Sequence, residues 1–330
     1  MRSARARPYP MALLSSRPMR RHLLLICALL ALSSGCSDAA PRPSVPTPRV
    51  WHAAVADLPL PQLRAPLPAL GPNAPQRIVS LVPSVTELVC VLGLQDRLVG
   101  RSRWCDSPAS VRDLPDLGGL QDFQAERIAD LRPDLVLLFD TLPGLQETLS
   151  KQFHLRCVAP ATEREDDVFA GLHTAALALD AAARGESLAA DLKEQLLRLQ
   201  QAHAAGPHPT VLVVLDRSPP FAACPGSFVD LLIRTAGGVN VVRTPPQERP
   251  WCALSVETIL DLAPEVIVDL SVGDGAEAAI KAGAEFWAAL PMLPAVRNGR
   301  VHLLQAPALA RPGPRIAEAA KLLAQVIHAR

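Results

Sequence analysis

From residue 76 to the end of the chain, short aliphatic and β-branched runs alternate with segments whose apolar residues recur every three or four positions. The short runs predict buried β-strands, at residues 78–81, 98–99, 135–139, 155–158, 211–215, 241–242, 266–268 and 301–304. The periodic segments predict helices, at residues 85–92, 125–131, 145–153, 165–180, 186–205, 228–235, 256–262 and 276–289 and from Pro314 onwards. This alternation predicts largely parallel sheets that are covered by helices on both faces.

The longest predicted helix, 186–205, contains no Gly or Pro and would be about 30 Å long at a rise of roughly 1.5 Å per residue. It carries an apolar stripe, formed by Leu188, Leu192, Leu196, Leu197 and Leu199. We therefore predict an α/β fold with an N-terminal lobe over residues 76–184 and a C-terminal lobe over residues 207–330. One long backbone helix, within residues 185–206, joins the two lobes, and a ligand cleft lies between them.

The first helix of the series carries the pattern of a capping box. Ser84 precedes the apolar-periodic segment 85–92, and Glu87 follows three residues later. In a capping box the serine side chain and the glutamate side chain each bind a free backbone N–H at the start of the helix. We therefore predict that the helix begins at Ser84 and ends before Gly93.

The beginning of the chain has the pattern of an export signal. Basic residues precede a short apolar run, Leu23–Leu32, and small residues then lead to Cys36. The run is much shorter than the roughly 20 apolar residues that cross a membrane, so we expect a signal peptide over residues 1–35. The Leu-Ser-Ser-Gly-Cys ending resembles a bacterial lipobox, which implies lipidation of Cys36. Translation begins at Met1 or Met19, and the pattern leaves both open.

Residues 36–75, between the signal and the first predicted strand, are dense in Pro and Ala and show no periodicity. Proline favours extended chain and interrupts hydrogen-bonded ladders. We expect a semi-rigid linker that holds the folded part of the chain away from the membrane.

Removal of residues 1–35 changes the charge of the chain. That segment contains six arginines and no acidic residue, so 27 of the 33 basic residues remain against 32 acidic ones. A net charge of about −5 argues against nucleic acid as a partner. Beyond Cys36, the cysteines form no C-x-x-C pair, so no zinc site is expected. Disulfides are compatible with an exported chain, but the sequence alone does not show which cysteines would form them.

Several residues follow predicted strands, where open α/β sheets bind ligands. The candidates are Pro83, Ser84 and Trp104 in the first lobe and Phe221, Trp251 and Arg311 in the second. Aromatic faces offer a large contact area to a flat ligand, and the chain has only four Trp and one Tyr. The alternative interpretation is that Trp104 and Trp251 are ordinary, partly buried core residues.

Glu126 and Glu257 form a second matched pair, each in the first turn of a predicted helix, one per lobe. Acidic residues also occur there simply because the helix dipole favours them. The residues alone leave both explanations open.

Catalytic and metal-binding patterns are weak. The chain has no G-x-S-x-G, P-loop or G-x-G-x-x-G segment, and its eight His show no ligand spacing. An exported α/β enzyme that uses Asp216 or Asp106 as its acid–base group is the alternative from a different functional class.

The order of several short stretches resembles a known family. They are 77–88 (Arg-Ile-Val-Ser-Leu-Val-Pro-Ser-Val-Thr-Glu-Leu), Leu98-Val-Gly, Trp104-Cys-Asp-Ser-Pro, Glu126-Arg-Ile-Ala-Asp-Leu-Arg-Pro-Asp-Leu-Val, Pro225-Gly-Ser-Phe, Ala236-Gly-Gly-Val-Asn and Arg311-Pro-Gly-Pro-Arg. Over residues 76–330 they are similar to the helical-backbone substrate-binding proteins of metal-chelate ABC importers. That family includes periplasmic cobalamin-, siderophore- and haem-binding proteins.

The resemblance implies roles for the candidate residues. Trp104, Phe221, Trp251 and Arg311 match ligand-facing positions, and the paired acids of the two lobes match those that engage arginines of the permease. The chain departs from the cobalamin binder at Leu120, which replaces a cleft tryptophan. The two positions that form a disulfide in that cobalamin binder are occupied by Ala236 and Ala324 here.

The resemblance also implies a ligand and partners. The expected cargo is cobalamin or a related corrinoid, carried as a transported ligand and not as a permanent cofactor. A ferric siderophore or haem is the alternative, and five arginines keep the siderophore open, namely Arg103, Arg217, Arg249, Arg311 and Arg315. The expected partners are a dimeric ABC permease and, through the lipid, a membrane, with the chain itself a monomer.

Overall fold

The computed structural model describes residues 46–51, 59–63, 67–243, 249–271 and 277–329 of the 330-residue chain. The predicted signal peptide and Cys36 lie outside the described residues. Within the described part, no helix combines the length and apolar character needed to cross a membrane.

The structure confirms the alternation of strands and helices. The described strands are β1 (Arg49–Trp51), β2 (Ile78–Ser80), β3 (Leu98–Arg101), β4 (Leu135–Leu137), β5 (Cys157–Val158), β6 (Thr210–Arg217), β7 (Pro220–Ala223), β8 (Val239–Asn240), β9 (Trp251–Ala253), β10 (Val266–Asp269) and β11 (Val301–Leu304). The described helices are α1 (Pro83–Val91), α2 (Ala125–Asp130), α3 (Pro143–Lys151), α4 (Glu165–Ala178), α5 (Ala182–His203), α6 (Phe228–Thr235), α7 (Val256–Leu262), α8 (Glu277–Ala288), α9 (Pro294–Arg297) and α10 (Ile316–Ile327). Each predicted helix overlaps one of these.

Two sheets form the two lobes. The N-terminal sheet has the order β3-β2-β4-β5, and all of its pairs are parallel. The C-terminal sheet has the order β1-β11-β10-β6-β7-β9, and the beginning of β6 also pairs with β8. In this second sheet β7 and β9 run antiparallel to their neighbours. The α/β class with largely parallel sheets is therefore correct, with an antiparallel edge in the second lobe.

The antiparallel edge corrects the sequence-based prediction. Phe221 and Trp251 were placed in loops, but they lie in β7 and β9. Both strands are short and have a proline at or just before their first residue, which is typical of edge strands. Neither contains the β-branched run by which the sequence pattern marks a buried strand. The predicted strand at 241–242 also lies slightly too late, because the pairing residues are Val239 and Asn240.

Parts of the predicted linker fold onto the lobes. Strand β1 extends the C-terminal sheet in parallel with β11. Nearer the first lobe, the Gly71 N–H donates to the Asp180 carbonyl at 2.7 Å. Arg184 Nε donates to the Pro68 carbonyl at 2.6 Å. These contacts attach the chain before residue 76 to the start of the long helix, where sequence reasoning expected only a spacer.

The strand residues alternate between two apolar layers, as a pleated sheet requires. In the C-terminal sheet, Val211 and Val213 face a central layer, whereas Leu212 and Val214 face an outer one. The central layer also contains the inward residues of the N-terminal sheet and of helices α1, α4, α5, α6 and α10. Both lobes therefore share one continuous core between their sheets.

Helix α5 (22 residues) begins four residues earlier than predicted and ends two residues earlier, and its apolar stripe is narrower. Leu188, Leu192 and Leu196 are buried, whereas Leu197 is 53% exposed. Position 197 lies one residue, or about 100°, around the helix from the buried line. Gly185 lets α5 approach α4 closely, because a Cβ atom there would lie 2.4 Å from the Ala176 Cβ.

The capping-box prediction is wrong. Helix α1 begins at Pro83 after Val82, and no side chain caps its N terminus. Proline is favoured at the first helical position because its fixed φ suits the helix and it has no N–H to satisfy. Ser84 therefore lies inside the first turn. Glu87 points into the protein, where its Oε2 accepts a hydrogen bond from Arg315 Nε at 2.9 Å.

The Glu87–Arg315 pair connects the first helix of one lobe with the last helix of the other. Each residue is at most 2% exposed, and a second hydrogen bond joins Arg315 Nη2 to Glu87 Oε1. Burial raises the pKa of Glu87, and the Arg315 guanidinium opposes that shift. Desolvation makes a buried ion pair costly to form, but removal of one partner strands the other charge in the core.

Glu87→Ala is therefore expected to lower the free energy of unfolding by about 3–5 kcal/mol, the range for a broken buried pair. Denaturant unfolding of the protein without its first 36 residues measures this loss of stability. Glu147→Ala is the matched control, because its Lys151 partner is exposed and such pairs contribute roughly 0–1 kcal/mol. Glu87→Met/Arg315→Met should recover much of the loss. Equal losses for Glu87→Ala and Glu147→Ala would contradict this account of the buried pair.

Candidate functional site

A cleft of about 490 Å³ lies between the lobes. It is lined by Val82, Pro83, Ser84, Trp104, Asp106, Phe139, Thr162, Glu163, Leu215, Leu270, Ala306, Pro307, Ala310, Arg311 and Pro312. Nearly all of these residues follow the carboxyl ends of strands, where ligands bind in open α/β sheets. Four of the predicted ligand-binding residues are among them: Pro83, Ser84, Trp104 and Arg311.

Trp104 forms an exposed aromatic wall on the first lobe. It is 56% exposed. Its indole lies against the backbone of Gly119, where a Cβ atom would be 3.1 Å from Trp104 Nε1. The adjacent Leu120 is also about half exposed. Ser84, in contrast, is only 4% exposed, because Gly313 of the second lobe packs against it.

Arg311 contacts acidic residues of the first lobe. Its Nη1 lies 2.5 Å from Asp106 Oδ1 and 3.7 Å from Glu87 Oε1. Burial alone would raise the pKa of Asp106, but the hydrogen bond and charge of Arg311 outweigh it, and the pKa is lowered. At neutral pH the guanidinium is therefore already neutralised by side chains of the protein.

Phe221 and Trp251 lie beside the cleft and do not line it directly. Their rings stack with centroids 6.2 Å apart, and Trp251 also meets Phe228 edge-on. The Trp251 Nε1–H donates to Glu163 Oε2 at 2.6 Å. Glu163 does line the cleft, so this bond holds the aromatic pair at the edge of the cleft.

Sequence reasoning missed Glu163 and several apolar lining residues. Phe139 and Leu270 lie within two residues of the end of a buried strand, so their position was a usable signal. Glu163 had no such signal. The segment around it is fixed by bonds to the second lobe, from Glu165 N–H to the Gly226 carbonyl at 3.0 Å and from Phe228 N–H to the Glu163 carbonyl at 3.3 Å.

Two further arginines that the sequence offered for the cleft, Arg103 and Arg217, form ion pairs outside it. Arg103 pairs with Asp122 on the surface of the first lobe. Arg217 Nη1 lies 3.1 Å from the buried Asp269, whose other hydrogen-bond donors include the Trp287 indole. None of these four charged residues lines the cleft.

Asp216 has a structural role. Its Oδ1 accepts hydrogen bonds from the backbone N–H of Arg217 at 2.6 Å and of Ser218 at 3.2 Å. These bonds stabilise the tight connection between β6 and β7. Asp106 pairs with Arg311, as described above. Neither carboxylate has the setting of an acid–base catalyst, and the described residues contain no cluster of three or more potential metal ligands.

A second cavity, of about 470 Å³, lies at the opposite end of the C-terminal sheet. Both of its histidines are hydrogen-bonded to backbone carbonyls at helix ends. His208 Nδ1 lies 2.9 Å from the Gly237 carbonyl, and His328 Nε2 lies 2.9 Å from the Ala236 carbonyl. These rings bind carbonyls at the ends of helices, so the cavity is a poorer ligand site than the cleft.

Glu126 and Glu257 occupy equivalent places. Each is exposed and lies in the first turn of its helix, α2 or α7. Each helix precedes a parallel strand, β4 or β10, so its N terminus lies at the carboxyl edge of the sheet, on the side of the cleft. Hydrogen bonds from its own backbone N–H and from Ser255 lower the pKa of Glu257.

Two α/β lobes with a shared helical core and one interlobe cleft define the class of solute-binding proteins. The model of the periplasmic binding protein family matches residues 78–308. The chain belongs to this family, and it is an exported solute-binding protein, not an enzyme.

Individual relatives are also solute-binding proteins. The vitamin B12-binding protein of Photorhabdus laumondii is 28% identical over 258 residues, which are 77% of this chain and 89% of the relative. The solved vitamin B12-binding protein BtuF of Vibrio cholerae has a TM-score of 0.64 at 26% identity, covering 77% of this chain and 96% of that one. The haem-binding protein BhuT, solved with two haems, has a TM-score of 0.66 at 26% identity, covering 77% and 98%.

Proposed function

We propose that the chain captures cobalamin or a related corrinoid in its interlobe cleft and delivers it to an ABC permease. The vitamin B12-binding relatives support this ligand. The choice of a corrinoid over the other chelates rests on the charged residues that line the cleft. Its one described cationic lining residue, Arg311, is paired with Asp106, and Glu163 adds a further acid.

This balance disfavours an anionic ferric siderophore. Such chelates present oxygen anions, which arginine forks bind well when they are free to turn toward the ligand. Here the lining offers one guanidinium against two carboxylates among its described residues. A corrinoid, whose periphery carries neutral amides, meets less electrostatic opposition and gains from the apolar and aromatic walls.

The lining also disfavours haem. Proteins that hold haem iron do so through His, Cys, Met or Tyr side chains. The described lining residues include none of these four types. Haem and siderophore are therefore the alternatives that a binding experiment must separate from the corrinoid.

We infer that the rest of the chain serves delivery. Residues 1–35 act as the signal peptide, Cys36 carries the lipid, and residues 36–75 connect the membrane to the lobes over 76–184 and 207–330. Glu126 and Glu257, one on each lobe, contact basic sockets of a dimeric permease. A monomer with two similar lobes can present one acid to each half of such a dimer.

Titration of a soluble form that begins at Ser37 tests the ligand. Cyanocobalamin should quench tryptophan fluorescence with a Kd below about 1 μM, equivalent to roughly −8 kcal/mol. Haemin and a ferric tris-catecholate should bind much more weakly. Trp104→Ala should cost about 1–3 kcal/mol of corrinoid binding, as for an aromatic anchor that the ligand buries. Trp251→Ala should also weaken binding, because it removes the hydrogen bond to Glu163 at the edge of the cleft. Leu197→Ala, on an exposed part of α5, is the matched control and should bind normally.

Tight binding of haemin or of the ferric chelate, with no corrinoid binding, would transfer the assignment to that ligand. Normal corrinoid binding by both tryptophan variants would remove these side chains from the site.

The docking surface is tested by Glu126→Ala/Glu257→Ala. This variant should bind ligand like the wild type but fail to stimulate permease ATPase activity in proteoliposomes, because rim charges set encounter and register. Glu147→Ala/Glu285→Ala is the control, because it removes one exposed acid from each lobe at other sites. Loss of ligand binding in the first variant, or equal loss of stimulation in both, would overturn the docking role.

The lipid anchor is tested by Cys36→Ser in cells that process lipoproteins. The wild-type mature chain should begin with a lipidated Cys36 and fractionate with membranes. The variant should lack the lipid and should not enter the membrane fraction by that route. Mass spectrometry that finds an unmodified N terminus at another residue of the wild type would refute lipidation at Cys36.

A further inference from the structure

Cys224 and Cys252 lie together under the aromatic pair at the edge of the cleft. Strands β7 and β9 pair Ala222 with Cys252 and Ala223 with Trp251. The Cys224 N–H, one residue beyond β7, donates to the Pro250 carbonyl at 2.9 Å. Because side chains alternate along a strand, Ala222, Cys224 and Cys252 point to the same face of the sheet.

The two sulfur atoms share one environment. Cys224 is fully buried and Cys252 is 6% exposed, and both belong to the outer apolar layer of the second lobe. Their thiols are in hydrogen-bonding contact, which raises the pKa of Cys224 and lowers that of Cys252. Cys224 lies two residues after Ala222, the cross-strand partner of Cys252, so the two cysteines are diagonal neighbours on one face of the sheet.

The other described cysteines have different settings. The Cys105 sulfur accepts a hydrogen bond from Thr86 Oγ1 at 3.0 Å and lies 3.6 Å from the Ser80 carbonyl. Cys90 and Cys157 are half-buried in the first lobe. Cys224 and Cys252 are therefore the described cysteines that share one face of a sheet and one apolar layer.

We propose that Cys224 and Cys252 form a disulfide bond in the exported protein. Exported proteins meet disulfide oxidants, and such an oxidant is the co-reactant here. The Cys252 thiolate, on the more accessible residue, attacks one sulfur of the oxidant disulfide and releases the other as a thiol. The Cys224 thiolate then attacks the Cys252 sulfur and releases the second oxidant thiol. The protein loses two protons and two electrons, and the oxidant gains them.

The bond covalently joins the strands that carry Phe221 and Trp251. These side chains belong to the same two strands, with Trp251 one residue before Cys252. A cross-link there fixes the register between β7 and β9, the edge strand of the sheet, which has only three paired residues in the described part of the chain. Its formation is independent of which chelate occupies the cleft.

Non-reducing peptide mapping of protein purified after export tests the bond. Free thiols are first blocked with N-ethylmaleimide at low pH. Trypsin cleaves after Arg217, Arg234, Arg243 and Lys281 but not after Arg249, because Pro250 follows. The expected product is peptide 218–234 linked to peptide 244–281, separable by a reductant. Recovery of both peptides with blocked thiols, or either one linked to a different cysteine, would overturn the proposal.

Thermal unfolding provides a second readout. Wild-type Tm should fall by roughly 5–10 °C in a reductant, the shift expected for loss of a native disulfide. Cys224→Ala and Cys252→Ala should start at the lower Tm and show no response to the reductant. If the substitutions only disturbed packing and did not remove a disulfide, the variants would have a lower Tm but would respond to the reductant as the wild type does. Cys157→Ala, the matched control, should keep the full response, and a wild type that ignores the reductant would contradict the bond.

Discussion

The bond between Glu87 and Arg315 constrains the rest of the structure, because it places two opposite charges in the apolar layer that both lobes share. Desolvation makes such a pair expensive, so it stabilises only an arrangement in which α1 and α10 meet with correct geometry. Arg311 and Asp106 extend the same network to the surface of the cleft. The relative position of the lobes and the floor of the cleft therefore depend on one set of charges.

This network limits how the lobes can move. A large hinge motion would separate the central helices and expose apolar surface, at roughly 25 cal/mol for each Å², and it would also break the buried ion pair. In the proposed function, an external partner engages both lobes to release the ligand, and Glu126 and Glu257 would be its two points of contact.

The sequence predicted what depends on local pattern and missed what depends on distant contacts. The alternation of strands and helices and the position of the cleft follow from hydrophobic periodicity and from the carboxyl ends of strands. Glu87 was misread as a cap because its partner lies 228 residues away, and no local rule connects them. The same limit applies to β7 and β9, whose strand character comes from pairing with each other and with β6.

The arginines show why residue type alone does not identify a ligand. Five of them pointed to an anionic chelate when read as isolated cations, but the structure pairs Arg103, Arg217, Arg311 and Arg315 with carboxylates of the protein. A guanidinium that already holds a carboxylate must give up that bond before it can bind an anion, so its net contribution to anion affinity is small. The charges of the cleft therefore fix its shape, and in the proposed function contact with the ligand falls to the aromatic and aliphatic walls.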